Sequence, residues 1–329
     1  MKLLRYGPRP RGQEKPGLLD AEGQIRDLLK VVDDIAGATL TDAGLAKLHA
    51  VDVATLPVVD GTPRIGPYVG RVGKFVCIGL NYADHAAESN LPVPTEPVIF
   101  GKWTSAICGP NDDVEIPRNS VKTDWEVELG VVIGKEAKYV DEASALDYVA
   151  GYCVINDVSE REWQLEHGTQ WDKGKGFDTF GPIGPWLVTK DEVADPQKLD
   201  LWLEVDGKRY QNGNTKTMVF TVAQLVAYLS QVMSLQPGDV ISTGTPLGVG
   251  MGVKPNPVYL EGRPDDEARH SESGRADAED RVREVTPGVA RATNKKNSPH
   301  GEVFCFGRRV EGWTFRRRKP VPRRFRRCS

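Results

Sequence analysis

No two of the five cysteines, Cys77, Cys108, Cys153, Cys305 and Cys328, stand at CxxC spacing, so the chain offers neither a zinc knuckle nor a disulfide framework. Thiols scattered in this way read as buried and free. Long apolar runs are missing too: no stretch of the 329 residues approaches the roughly 20 apolar positions that a membrane span requires. The first residues, MKLLRYGPRPRGQEKPG, lack the apolar centre of a secretory leader, so the expected location is cytoplasmic with no membrane partner. Two glycine-rich loops, WDKGKGFDTFGPIGP (171–185) and STGTPLGVGMG (242–252), lack the Gly-Lys-Ser/Thr ending of a phosphate loop and read as substrate-approach loops.

What is present is an ordinary globular composition, 39% hydrophobic, with charge divided unevenly along the chain. Residues 261–329 carry 18 Lys+Arg against 11 Asp+Glu, a net of +7, which leaves −10 for residues 1–260. Three segments are expected. Residues 1–70 form a small N-terminal domain and linker, with KLLRY and PGLLD as strands and DAGLAKLHAVD as a helix. Residues 71–260 form a β-rich main domain, with strands at KFVCIGL, WEVELGVVIG, GYCVIND, GPWLVT and DVISTG, and a hairpin turning at Asp206-Gly207. Helices are expected at SEREWQLEH, capped by Ser159 with Glu162, and at 221–234. Residues 261–329 show little apolar periodicity and are expected to be a disordered basic tail, of the kind an altered reading frame would produce. Its Arg-aromatic ending could suggest nucleic-acid binding, but the acidic main segment offers no supporting basic face, and no nucleic-acid partner is expected.

The stretch KTDWEVELGVVIG carries the chemistry. Trp125, Val127, Leu129 and Val131 alternate on one face, and Glu126, Glu128 and Gly130 on the other. Two carboxylates at successive same-face positions lie roughly 7 Å apart along the strand, close enough to converge on one cation. Alone they read equally as a solvated polar face. Asp157 tips the balance, because it ends the apolar strand GYCVIND just before a helix, where sites are assembled. A hard oxygen-seeking ion, Mg²⁺ or Mn²⁺, would relieve the repulsion among buried carboxylates. On the following helix Arg161 and Gln164 share a face beside that centre. His85 and Glu88, three residues apart after KFVCIGL, can form an imidazole–carboxylate general base.

Taken in order, GLNYADHAAE, EPVIFGKWTSAICGP, DWEVELGVVIG, YVAGYCVINDVSEREWQ, KGKGFDTFGPIGPW and GDVISTGTPLGVG resemble the fumarylacetoacetate hydrolase family from about Lys74 to Leu260. The N-terminal unit is similar to a bacterial branch that is acylpyruvate hydrolase-like, ureidoglycolate lyase-like or 2,4-diketo-3-deoxy sugar-acid hydrolase-like. The resemblance implies a mixed α/β, β-rich fold: a β-roll with peripheral helices behind a small N-terminal domain, assembled as a homodimer. It implies Glu126, Glu128 and Asp157 as metal ligands, His85 and Glu88 as the catalytic dyad, and Lys175 as the active-site lysine with Lys173 as a nearby alternative. It places Arg161, Gln164, Lys102 and Thr245 at substrate-contact positions. Family members continue past NPVYL with strands that close the roll, whereas this chain has its basic tail; without those strands an unpaired edge is expected.

The expected activity is Mg²⁺- or Mn²⁺-dependent hydrolysis of a carbon–carbon bond in a small 2,4-dioxo acid, releasing a pyruvate-type enolate held on the metal. The same site suits ureidoglycolate lyase, oxaloacetate decarboxylase or isomerase chemistry. A non-catalytic protein holding metal and a small acid is the alternative of another class, against which the His85–Glu88 pair argues.

Overall fold

The computed structural model describes residues 1–8, 13–261, 285–291 and 315–317, the last two segments as backbone only. Cys77, Cys108 and Cys153 are buried, and Cys305 and Cys328 lie outside the described residues.

The N-terminal strands are β1 (Lys2–Tyr6), β2 (Lys15–Leu19) and β3 (Ile25–Asp27), followed by helix α1 (Asp42–His49). Strand β4 (Phe75–Gly79) leads into α2 (Ala83–Glu88), and then come β5 (Val98–Lys102), β6 (Ile107–Cys108), β7 (Val114–Ile116) and β8 (Thr123–Asp124). The central pair is β9 (Val127–Ile133) and β10 (Val149–Asn156). After β11 (Ser159–Glu160) the chain forms two short helices, α3 (Arg161–Leu165) and α4 (Asp172–Lys175), and the long β12 (Gly181–Thr189). β13 (Leu199–Val205) and β14 (Lys208–Asn214) make a hairpin, α5 (Val222–Val232) follows, and β15 (Val240–Ser242) returns to the centre. β16 (Val285–Arg291) and β17 (Phe315–Arg317) are the tail's described elements.

A mixed sheet runs β3-β2-β1-β12-β10-β9-β15-β4-β5, with β6 alongside β12. The N-terminal strands are continuous with the main sheet, because β1 pairs antiparallel with β12. This is the mixed, β-rich fold with few helices that the sequence predicts. Its central strand is buried on both faces. Trp125, Val127, Leu129, Val131 and Ile133 join the core that holds β13 and the apolar face of α5. Val132, Cys153, Ile155 and Val240 join a second core with Leu3, Leu18 and Leu28 of the N-terminal segment. The face of β9 that sequence alone left open to solvent is therefore interior.

Local chemistry explains most boundaries. Asp206 and Gly207 turn the β13–β14 hairpin with φ of 52° and 75°, which Asp tolerates and Gly adopts freely. Thr221 caps α5 by accepting from Gln224 N, while the Gln224 side chain accepts from Thr221 N. The expected single strand through Trp125 is divided: β8 stops at Asp124, whose Oδ1 accepts from Trp125 N, and Glu126 N donates to Asn156 Oδ1 instead of a ladder carbonyl. Glu160, not Ser159, caps α3, accepting from Trp163 N at 2.8 Å; Ser159 belongs to β11 and donates to Asp157 O. The first glycine-rich loop contains a helical turn, α4, ending on Lys175.

Most of the tail lies outside the described residues. Within it, residues 285–291 form an antiparallel strand along β13 from Leu199 to Val205, so the β13 edge is paired where an open edge and a structureless tail were expected. No helix among the described residues is long and apolar enough to cross a membrane.

Candidate active site

Neighbouring strands bring the acidic residues together. Glu128 pairs with Ile155 across the β9–β10 ladder, and Asp157 follows β10 with its N–H donated to Glu126 O at 2.9 Å. As a result one carboxylate oxygen from each of Glu126, Glu128 and Asp157 lies within 4.8 Å of the others, all three buried. Among the described residues this is the one cluster of its kind.

Cations surround two of the three. Lys175 Nζ donates to Glu126 Oε2 at 2.7 Å and Asp157 Oδ2 at 3.0 Å. Lys102 Nζ donates to Asp157 Oδ1 at 2.5 Å and to Val158 O. Arg161 Nη1 meets Glu126 Oε1 at 2.7 Å and Gln164 Oε1 at 2.9 Å. Burial alone would raise the Glu126 pKa, yet Lys175 and Arg161 hold it down at about 2. Lys175 is held above its ordinary value: burial opposes the charge, and Asp157 and Glu126 outweigh burial.

Glu128 is the exception. Its Oε2 accepts from Ser242 Oγ at 2.5 Å and Gly244 N at 2.8 Å, and among the described residues no lysine or arginine is paired with it. Burial, then the charges of Asp157 and Glu126, push its carboxyl well above the usual range. Its Oε1 accepts no hydrogen bond from the described residues. A buried carboxylate with one oxygen unpaired, beside two others, is a donor set short of one cation, and an all-oxygen set suits a hard divalent ion. The residues fit such an ion.

The dyad faces this cluster from α2. His85 Nδ1 lies 3.1 Å from Glu88 Oε2, which makes Nδ1–H the donor and leaves the lone pair on Nε2. Leu80, at φ 55°, turns the chain from β4 toward α2. Asn81 pins that turn, donating to Thr243 O and Phe220 O and accepting from Phe220 N. Glu88 in turn is held by Gly248 N, at 3.0 Å from Oε1 and 3.2 Å from Oε2.

These groups line one cavity of about 180 Å³, whose wall includes His85, Glu126, Glu128, Arg161, Gln164, Lys175 and Thr245. Thr245 Oγ1 donates to Val127 O and accepts from Gln211 Nε2. Two expectations meet a different geometry. Lys102 is outside the cavity wall and holds Asp157 in place, a contact to the cluster that the sequence did not foresee. Lys173 is exposed and donates to His167 O, leaving Lys175 as the lysine of this loop that reaches the cluster.

Three contributors went unnoticed in the sequence. Asp124 accepts from Arg161 Nε at 2.8 Å and from the N–H groups of Gly250 and Met251. Arg161 Nη2 also lies 2.7 Å from Asp124 Oδ2, as an ion pair not aligned for a hydrogen bond. Gln211 accepts from Val127 N and donates to Thr245 Oγ1, tying β14 to the cluster. Asn81 is the third. Each is a polar residue in or near a strand, a signal too common to single out without coordinates.

The fumarylacetoacetate (FAA) hydrolase C-terminal family model matches residues 74–283. A protein of Burkholderia multivorans designated a hydrolase is 77% identical over 261 residues, 79% of this chain and 92% of its own. The solved fumarylacetoacetate hydrolase of psychrophilic Exiguobacterium antarcticum is 32% identical, with TM-score 0.71, over 88% of this chain and 95% of that one. The 2-hydroxyhepta-2,4-diene-1,7-dioate isomerase of Mycobacterium marinum is 28% identical, with TM-score 0.63, over 96% and 98%. A matched family model across most of the chain and a solved relative aligned over 88% of it lead to one assignment: the chain belongs to the fumarylacetoacetate hydrolase family, whose members are hydrolases and isomerases.

Proposed function

We propose that this protein is a divalent-metal-dependent hydrolase that cleaves a carbon–carbon bond in a small 2,4-dioxo acid, with Mg²⁺ or Mn²⁺ held by Glu126, Glu128 and Asp157. The observation that carries the reading is the uncompensated Glu128 carboxylate within 4.8 Å of two others, in a cavity that also receives the His85–Glu88 dyad. The ion supplies Lewis-acid polarisation of the 2-oxo acid end and neutralises the carboxylate cluster.

The chain's own groups do the rest. His85 Nε2 takes a proton from water as its oxygen bonds to the distal carbonyl carbon, and Glu88 steadies the imidazolium that results. When the C3–C4 bond breaks, the electron pair passes into the 2-oxo end and C3 takes up a proton, giving pyruvate and a carboxylic acid. The Lys175 ammonium, fixed at the cluster, stabilises negative charge that develops on substrate oxygen. Gln164 and Thr245 offer neutral hydrogen-bonding groups in the wall. Arg161 is committed to Asp124 and Glu126, so it orients the cluster more than it captures a substrate carboxylate.

The test is the Mg²⁺- or Mn²⁺-dependent loss of acylpyruvate absorbance, run beside oxaloacetate and ureidoglycolate. Turnover of an acylpyruvate that stops on chelation and returns with metal supports the reading. Activity that survives chelation removes the metal from it, and turnover of ureidoglycolate or oxaloacetate alone replaces hydrolysis with lyase or decarboxylase chemistry.

A further inference from the structure

The cavity wall combines a charged cluster with apolar side chains. In the cluster and directly behind it, every cation is already matched: Lys102 to Asp157, Lys175 to Glu126 and Asp157, Arg161 to Asp124 and Glu126. Three cations there face four carboxylates once Glu128 is included, leaving one negative charge. A divalent ion turns that balance to one positive, which a single substrate carboxylate neutralises and a second overshoots.

The same wall carries Leu80, Leu91, Leu165, Trp171 and Met251. Among the described residues the cavity wall holds no lysine or arginine besides Lys175 and Arg161. Leu91 and Leu165, at 43% and 46% exposure, form the rim, while Trp171 is braced by an edge contact to Phe100 with ring centroids 5.7 Å apart. A carboxylate at the far end of a substrate would lose water against these side chains without gaining a cation, and a polyol would lose hydrogen bonds.

Resting on the function proposed above, we infer that the site selects 2-oxo acids with one carboxylate and a short, uncharged apolar tail, and that Leu91 and Leu165 determine this specificity. Acylpyruvates with small alkyl groups fit; dicarboxylic and sugar-derived dioxo acids do not.

Oxamates mimic the chelating 2-oxo acid end without reacting, so selection can be read apart from turnover. Mg²⁺-loaded protein is titrated calorimetrically with N-butyl oxamate, N-(3-carboxypropyl) oxamate and N-(2,3-dihydroxypropyl) oxamate. The butyl compound is expected to bind at least about tenfold more tightly than either of the others. In Leu165→Arg, and separately in Leu91→Lys, the butyl-to-carboxypropyl ratio is expected to fall about tenfold. Equal or tighter binding of the carboxypropyl or dihydroxypropyl compound by the unaltered protein overturns the inference while leaving the hydrolase reading intact. Binding of none of the three overturns the chelating site and the inference with it.

Discussion

The backbone of Gly252 lies directly against the carboxyl group of Glu88: a Cβ built on Gly252 would stand 2.2 Å from Glu88 Cδ. Gly248, at φ +104°, donates its N–H to the same carboxylate, and a Cβ there would meet Tyr210 O at 2.0 Å. The second glycine-rich loop is thus a seat for the dyad's carboxylate, and only bare backbone provides the room.

Gly252→Ala is expected to push Glu88 off this seat and lower kcat by roughly a hundredfold, the usual range for losing a positioned base. Metal affinity is expected to be unchanged, and unfolding stability to stay within about 1 kcal/mol. Kinetics in Gly252→Ala, Glu88→Ala and the double variant check this, because the double variant should be no slower than Glu88→Ala alone.

Glu128→Gln is expected to weaken Mg²⁺ or Mn²⁺ binding by at least about a hundredfold and to raise the melting temperature of the metal-free protein. The second effect follows from removing a buried carboxylate that has no cation of its own. Thermal melts with chelator and with metal separate the two effects: the unaltered protein should gain stability on loading, and the variant should not.

The two glutamates are expected to give opposite pH dependences in the metal-free protein. Glu126, at about 2 against an ordinary 4.5, contributes stability that is present above pH 4.5 and lost as pH falls toward 2. Glu128, raised when folded, is most favourable protonated; its contribution is full below pH 4.5 and fades as pH rises through its elevated value. Urea midpoints across pH should lose the acid limb in Glu126→Gln. Metal binding should release a proton from Glu128, so metal affinity should climb with pH.

Asp124→Asn is expected to cost about 3 kcal/mol and to lower activity together with stability. Asp124 is fully buried, pairs with Arg161 and accepts from Gly250 N and Met251 N, so its loss loosens the loop that seats Glu88. Urea unfolding gives the stability term. Glu162→Gln, at a half-exposed site away from the cavity wall, provides the control.

The sequence was most informative where a period and a chemical oddity coincided. Glu126 and Glu128 interrupt an apolar alternation, Asp157 ends an apolar run, and the structure gathers these three. His85 and Glu88 sit at helical spacing, and they do meet across one turn. Lys102 could not be assigned this way, since whether a lysine on a strand points at substrate or at the back of a carboxylate depends on the neighbouring strand. Asp124 and Gln211 escaped because the partners that tie them to the site lie 37 and 34 residues or more away, in contacts that only the folded sheet creates. The break at Trp125 was hidden for a related reason: an aspartate bonding the next N–H leaves the hydrophobic pattern untouched.

The ligand set and the base are anchored in different ways. Glu128 rides on a strand paired along its length to β10 and flanked by β15, and Asp157 is hydrogen-bonded to that same pair, so opening this cluster means opening the sheet. His85 and Glu88 sit on a helix of six residues, fastened by Asn81 at its root and by a glycine N–H at its end. Local loosening between Leu80 and Asn90 would withdraw the proton acceptor and uncover the chamber while the acidic trio kept its shape, making this turn the natural doorway for reactant and product.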